Sequence, residues 1–116
     1  MLIRPNFAMR SLARGGETGT IAVSRLIDGA VLWCGEHAHH GPISALAWSP
    51  NGALLASAGH DGLVHIWDAA SGDLLSSFVH GEAVQRLRWS AHGTLASAGT
   101  VIRLWPLAAT VQASAA

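Results

Sequence analysis

The sequence predicts an all-β fold of about three four-stranded antiparallel units, and two observations lead to this prediction. The segment HHGPISALAWSPNGALLASAG at 39–59 is repeated as HGEAVQRLRWSAHGTLASAG at 80–99, so that Trp48 corresponds to Trp89, 41 positions later. Within one period, short apolar runs with a period of two alternate with turn residues, which is typical of half-buried strands. A chain of 116 residues has room for about three such units in one small domain.

The middle unit, residues 39–80, contains four predicted strands. They are placed at 43–49, 53–58, 63–68 and 73–79. The turns between them are Pro50-Asn51-Gly52, Asp61-Gly62 and Ser71-Gly72-Asp73. The Asp-Gly pair is a strong hairpin signal because both residue types tolerate a positive φ. The middle unit is therefore predicted to be one complete antiparallel sheet.

The flanking units, residues 1–38 and 81–116, follow the same pattern less closely. In the third unit the Asp-Gly turn is absent and Trp105 is followed by proline. In the first unit Pro5-Asn6 matches the turn that follows a first strand, so no residues remain for that strand. The sequence predicts a degraded first unit that lacks its first strand, and an eroded third unit.

The middle unit resembles the WD-repeat (Trp-Asp repeat) family of β-propellers. The residues that carry the resemblance are His39, SPNG at 49–52, LLASAG at 54–59, Asp61-Gly62 and Ile66-Trp67-Asp68. The resemblance implies four-stranded blades around a central axis. Because closed propellers have about four to eight blades, this chain is expected to form an incomplete β-propeller. It would then be a segment of a longer propeller, a chain that self-associates to complete a ring, or a decayed gene product.

The resemblance also implies a structural hydrogen-bonded tetrad formed by His39, Ser57, Asp61 and Trp67. Ser, His and Asp together also suggest a catalytic triad. However, a serine inside a strand and engaged by an indole lacks the exposed oxygen that a nucleophile needs. The sequence therefore predicts no catalytic residue and no enzyme.

The flanking units lack the full tetrad set. The third unit keeps His80, Ser97 and Trp105, but without the Asp-Gly turn its tetrad is predicted not to close in the way the family's does. The matched positions of the first unit hold Arg14, Thr18 and Ser24, which form no tetrad.

The composition excludes several classes of partner. Seven basic residues, all arginine, balance seven acidic residues, so the chain has no basic field for nucleic acid or for an anionic membrane. Apolar runs are too short for a membrane span of about 18 residues, and the N-terminus does not match a secretory signal. The single cysteine, Cys34, excludes an internal disulfide and indicates a protein of a reducing compartment or one that is indifferent to redox conditions. These features predict a soluble cytoplasmic protein, and no motif indicates a cofactor.

The function that the resemblance implies is a non-catalytic scaffold for a protein or peptide partner. The expected contact face consists of loop residues His40, Pro42, His60, Glu82 and Thr100. The alternative is a regulatory or sensor module of a larger enzyme or signalling chain, responsive to metal through the tract at 37–40. No Cys or carboxylate stands at a regular ligand spacing from that tract, so no metal ligands are assigned.

Two pairs of residues on the predicted innermost strands carry further expectations. Trp48 and Trp89 are predicted to be buried at equivalent places, where they fill the space between sheets. Arg86 and Arg88 occupy the positions of two alanines of the middle unit. Either these arginines line a central channel or an interface and meet a carboxylate, or the third unit packs loosely.

Overall fold

The computed structural model describes residues 2–6 and 10–106, which form three antiparallel sheets. The first sheet contains β1 (Leu2–Asn6), β2 (Ser11–Gly15), β3 (Ile21–Arg25) and β4 (Val31–Gly35). The second contains β5 (Ile43–Trp48), β6 (Leu54–Gly59), β7 (Leu63–Asp68) and β8 (Leu74–Val79). The third contains β9 (Arg86–Trp89), β10 (Thr94–Ala98) and β11 (Ile102–Pro106). Since none of the described residues is helical, the predicted all-β class is confirmed.

The second sheet has the strand order β5-β6-β7-β8, and its strands start and end within one residue of the predicted ones. The hairpin between β6 and β7 turns at Asp61-Gly62, where Gly62 has a φ of 76°. An L-residue rarely adopts this left-handed conformation, so the sequence signal and the backbone agree. The register pairs Ser57 with His65, nearer the turn than the middle of the hairpin.

The prediction that the first unit lacks its first strand is wrong. Residues Leu2–Asn6 form β1, which pairs with β2 from Leu2 opposite Gly15 to Asn6 opposite Ser11. Pro5-Asn6 suggested a turn because the pair matches the turn that follows a first strand. Within residues 2–6 and 10–106, β1 pairs only with β2, which makes it an edge strand, and an edge strand tolerates proline.

The third sheet has three described strands in the order β11-β10-β9, and residues 107–116 of the predicted third unit lie outside the described residues. The missing Asp-Gly turn does not remove the hairpin between β10 and β11. The N–H of Gly99 donates to the carbonyl of Val101 at 2.9 Å, which closes a shorter turn.

The three sheets stack face to face around two apolar clusters. The cluster between the first and second sheets contains Ala13, Ile21, Val23, Trp33, Ile43, Leu46, Leu55 and Trp67. The cluster between the second and third sheets contains Ala45, Ala56, Ala58, Val64, Ile66, Val84, Leu87 and Leu95. The second sheet is thus buried on both faces.

Trp48 and Trp89 lie at equivalent positions and link the innermost strands of successive sheets. The indole N–H of Trp48 donates to the carbonyl of Arg4 at 2.9 Å, and that of Trp89 donates to the carbonyl of Ala47 at 3.0 Å. Both rings pack against the apolar clusters, but they are half-buried rather than buried. The predicted equivalence is therefore present, while the predicted burial is only partial.

The far face of the third sheet has no covering layer among the described residues. It carries Arg86, Arg88, Ala96, Ala98, Ile102 and Leu104, in register across the three strands. The equivalent positions of the second sheet hold residues of the apolar cluster between the second and third sheets. There the third sheet is the covering layer. Ile102 and Leu104 are consequently 71% and 66% exposed. No described segment forms a helix with the length and apolar character needed to cross a membrane.

Candidate functional site

The structure brings together the four side chains of the predicted tetrad at one end of the second sheet. The indole N–H of Trp67 donates to Ser57 Oγ at 2.8 Å. Ser57 Oγ lies 2.9 Å from His39 Nε2, and His39 Nδ1 lies 3.1 Å from both carboxylate oxygens of Asp61. Because an indole only donates, the Ser57 hydroxyl donates to Nε2, and the imidazole donates its Nδ1–H to the carboxylate. Each polar group in this network therefore has a partner.

The burial of the network determines what chemistry it can do. His39 is 1% exposed and Ser57 is 0% exposed. The serine oxygen is buried and accepts a hydrogen bond from an indole, so it lacks the access that a nucleophile requires. This geometry suits a structural network, in which hydrogen bonds compensate for the burial of polar groups.

Asp61 also holds two backbone segments together. Its carboxylate accepts hydrogen bonds from the N–H of His40 at 3.0 Å and from the N–H of Leu63 at 3.1 Å. Burial alone would raise the pKa of Asp61, but these backbone donors together with His39 hold the pKa below its ordinary value. The ionised carboxylate thus ties the loop before β5 to the turn between β6 and β7.

Replacing Asp61 by alanine is expected to lower the free energy of unfolding by about 1–3 kcal/mol, because it leaves the buried imidazole of His39 without its acceptor. The measurement is urea denaturation followed by circular dichroism. Asp73→Ala is the matched control, since Asp73 is exposed and lies in a turn at the other end of the sheet. Equal losses in the two variants would show that the network contributes nothing to stability.

A second imidazole adjoins the network. The rings of His39 and His65 have centroids 4.5 Å apart, and His65 Nδ1 lies 2.7 Å from Ser77 Oγ. Burial lowers the pKa of His39 although Asp61 opposes this effect. Burial lowers the pKa of His65 too, and the neighbouring His39 adds to this. Burial therefore favours the neutral form of both imidazoles.

We expect the free energy of unfolding to be highest above pH 6.5 and to fall as the pH drops below it. Below that pH the unfolded chain binds protons on the histidines that the folded chain does not bind, so acid favours unfolding. Each histidine contributes a slope of at most about 1.4 kcal/mol per pH unit. Denaturant titrations between pH 8 and pH 5 measure the slope, and His65→Gln is expected to reduce it. Stability that stayed constant or rose over this range would contradict the prediction.

The third sheet contains a related network with its carboxylate supplied from elsewhere. His80 Nδ1 lies 2.7 Å from Ser97 Oγ, and the indole N–H of Trp105 donates to the same oxygen at 2.9 Å. His80 Nε2 lies 3.5 Å from the carboxylate of Glu82. The network thus does not close in the way that the resemblance implies for the family, because His80 Nε2 has no hydrogen-bond partner within the described residues.

Glu82 also accepts a backbone hydrogen bond from the third sheet's turn, as Asp61 does in the second sheet. It accepts hydrogen bonds from the hydroxyl of Thr100 and from the N–H of Val101, the latter at 2.9 Å. The Thr100 hydroxyl and then the Val101 N–H hold the pKa of Glu82 below its ordinary value. The repeat alignment missed this role because Glu82 follows the histidine by two residues instead of standing in the turn. The sequence did contain a signal for this role. Glu82 is an acid close to His80 in a unit that lacks the turn aspartate.

The five residues of the predicted contact face lie around the same end of the sheets. The N–H of His60 donates to the carbonyl of Pro42 at 3.1 Å, and Thr100 donates to Glu82. The loop that carries Glu82 crosses the Asp61-Gly62 turn, where the N–H of His80 donates to the carbonyl of Gly62 at 2.8 Å. His40, His60 and Thr100 are exposed, whereas Pro42 and Glu82 are half-buried. We call these five residues the loop face.

The histidine tract at 37–40 does not come together as a ligand set. His39 is engaged by Ser57 and Asp61, while His37 and His40 are exposed. Within residues 2–6 and 10–106, no group of three or more His, Cys, Asp or Glu side chains is placed to hold a metal ion.

Comparison with known sequences gives one family match and several relatives. The profile described as the anaphase-promoting complex subunit 4 WD40 domain matches residues 8–95. The chain is 37% identical over 78 residues to the small ribosomal subunit protein RACK1z of Oryza sativa subsp. japonica, covering 66% of this chain and 23% of that protein. It is 40% identical over 70 residues to the pre-rRNA-processing protein IPI3 of Mycosarcoma maydis, covering 57% of this chain and 12% of that protein.

Comparison with solved structures confirms the incomplete β-propeller. A chain of the mitotic checkpoint complex matches with a TM-score of 0.80 and 29% identity, covering 94% of this chain and 35% of that one. The β-propeller domain of Myceliophteria thermophila Cps50 (Swd1) matches in fold with a TM-score of 0.73 and 24% identity, covering 89% of this chain and 37% of that one. The chain thus spans little more than a third of these two structures, and less than a quarter of the two relatives described above.

Proposed function

Because the chain belongs to the WD40 family, we propose that it is a non-catalytic scaffold that binds a protein or peptide partner through its loop face. The family match covers residues 8–95, and the matched proteins support this function. One relative is described as a small ribosomal subunit protein, and one structural match is a chain of the mitotic checkpoint complex. Both descriptions are of proteins that work inside larger assemblies.

The observation that carries the proposal is the attachment of the loop face to two buried networks. Asp61 fixes the backbone beside His40, and Glu82 fixes the hydroxyl of Thr100. Exposed side chains on such a rigid frame lose little conformational freedom on binding, which favours recognition of a partner.

The proposal includes the rest of a propeller. The chain covers 35% of the matching chain of the mitotic checkpoint complex, and the far face of the third sheet exposes Ile102 and Leu104. We propose that further blades of a longer polypeptide cover this face, with self-association to complete the ring as the alternative arrangement. Balanced charge and a single cysteine support partners other than nucleic acid or membrane, and a cytoplasmic location.

Site-specific photo-crosslinking in cells tests the proposal. A photoreactive amino acid is placed at His60 on the loop face and, as the matched control, at the exposed Ala70, in the turn at the opposite end of the sheet. We expect a discrete crosslinked protein from position 60 that is absent from position 70. Identical crosslinks at the two positions, or none at position 60, would contradict the proposed function.

A further inference from the structure

Each junction between neighbouring sheets contains a hydrogen bond of the same kind. In the first junction the indole N–H of Trp48 donates to the carbonyl of Arg4 at 2.9 Å. In the second junction the indole N–H of Trp89 donates to the carbonyl of Ala47 at 3.0 Å. The tryptophan belongs each time to the innermost strand of the later sheet, and the carbonyl to the innermost strand of the earlier one. Each covering sheet is thus joined to its neighbour through an indole.

The third sheet presents the next acceptor of this series, the carbonyl of Arg88. In the second sheet Ala47 lies opposite Ala56. In the third sheet Arg88 lies opposite Ala96, which is the equivalent position. A sheet that covers the third one in the same way brings a tryptophan to the carbonyl of Arg88.

The side chain two positions before the tryptophan packs on the neighbouring sheet. Leu87 precedes Trp89 by two residues, is 5% exposed and shares a cluster with Ala45. The third sheet carries Arg86 at the position of that alanine, on the same face as Arg88, and neither arginine forms an ion pair within residues 2–6 and 10–106. A leucine on a covering sheet would leave both guanidinium groups buried against an apolar side chain. A carboxylate at this position supplies the partner that a buried charge needs.

A second copy of this chain does not supply the two groups. Its first sheet has Ile3 at the position of Leu87 and Pro5 at that of Trp89. Ile3 also lies opposite Arg14, on the face of the first sheet that points away from the second. No acid stands among the described strand residues of this face, so packing it on the third sheet adds a cation to two others. Repulsion between like charges opposes that arrangement.

We infer that the third sheet is covered by a blade of different sequence, with an acidic residue two positions before a tryptophan on its innermost strand. The indole donates to the carbonyl of Arg88, and the carboxylate accepts hydrogen bonds from the side chains of Arg86 and Arg88. This blade comes from another part of a longer polypeptide and not from a second copy. The inference rests on the proposed function, because it gives the chemistry of a blade proposed there. The two arginines then lie in an interface and meet a carboxylate, which is one of the two readings that the sequence left open.

The missing groups can be built into the first sheet of this chain, so that its self-association tests the inference. Ile3→Glu/Pro5→Trp places an acid and an indole at two exposed positions of β1. We expect sedimentation velocity to show self-association about tenfold tighter than that of the unmodified chain, and weaker when salt is added. Ile3→Gln/Pro5→Trp is the matched control without the charge and is expected to associate more weakly than the acidic variant. Adding Arg86→Ala/Arg88→Ala to the acidic variant is expected to abolish the gain, and circular dichroism checks that every variant is folded.

A photoreactive amino acid at Ile102 identifies the covering blade in cells that produce the protein from its own gene. Ile102 is 71% exposed on the far face of the third sheet, so a blade that covers this face lies against it. We expect mass spectrometry to place the crosslink in a blade outside residues 1–116, whose first strand contains an acid two positions before a tryptophan. This measurement does not depend on the folding of the β1 variants.

Four results would overturn the inference. These are tight, salt-independent self-association of the unmodified chain, equal association of the acidic variant and its glutamine control, a crosslink from position 102 to residues 2–35 of a second copy or to a blade without the acid and the tryptophan, and no crosslink from position 102. The photo-crosslink from position 60 separates the two proposals. A partner at position 60 with none at position 102 removes the covering blade alone, and the reverse removes the loop-face function alone.

Discussion

Replacing Trp67 by alanine is expected to lower the free energy of unfolding by about 3–5 kcal/mol, the usual range for a large buried aromatic. Trp67 is 8% exposed and belongs to the cluster between the first and second sheets. Its ring centroid lies 5.8 Å from that of Trp33, which comes from the first sheet. Truncation therefore opens a cavity at the interface and also removes the donor to Ser57.

Two further variants test how much of this loss comes from the indole N–H and how much from the burial of the ring. Trp67→Phe keeps an aromatic ring but removes the N–H, so its loss is expected to fall between wild type and Trp67→Ala. Trp105→Ala removes the corresponding indole of the third sheet, which is half-buried and stacks on Phe78. It is expected to cost less because less surface is buried there. Urea denaturation measures all three, and a larger loss for Trp105→Ala than for Trp67→Ala would contradict this description of the core.

The second sheet was predictable from sequence because local and long-range signals agree there. The alternation of β6 and β7, the Asp61-Gly62 turn and the repeat of Trp48 at Trp89 all specify the same hairpins. The side chains that the resemblance grouped as a tetrad lie within hydrogen-bonding distance in the structure. The register of β6 with β7 accounts for Ser57 and Trp67, which lie on the same face of the sheet.

The first strand and the carboxylate of the third sheet were not predictable in the same way. Pro5 is ambiguous in sequence, since a turn and an edge strand both tolerate it, and only the pairing of β1 with β2 distinguishes them. Glu82 reaches the site of the missing aspartate from another loop, so an alignment of positions does not find it. In both cases the deciding fact is which backbone groups lie nearby in space.

Gly19→Ala is expected to destabilise the junction between the first and second sheets by about 3 kcal/mol or more. Gly19 has a φ of 86°, and a Cβ added there would lie 1.9 Å from the carbonyl oxygen of His39. The N–H of His39 also donates to the carbonyl of Gly19 at 3.1 Å. A side chain at this position therefore has to displace the backbone that holds His39 against Asp61.

Gly29→Ala provides the matched control for this variant. Gly29 has a φ of 72°, but a Cβ built there meets nothing within 4 Å, so the variant carries the backbone strain without the clash. Its expected loss is about 1–2 kcal/mol, the cost of a left-handed L-residue. Urea denaturation gives both losses, and hydrogen exchange at the amide of His40, which donates to Asp61, reports on the junction itself. Because the two variants share the same backbone strain, the difference between them isolates the contact with His39. Equal losses in the two variants, together with unchanged exchange at His40 in Gly19→Ala, would mean that Gly19 and His39 do not pack against each other as described.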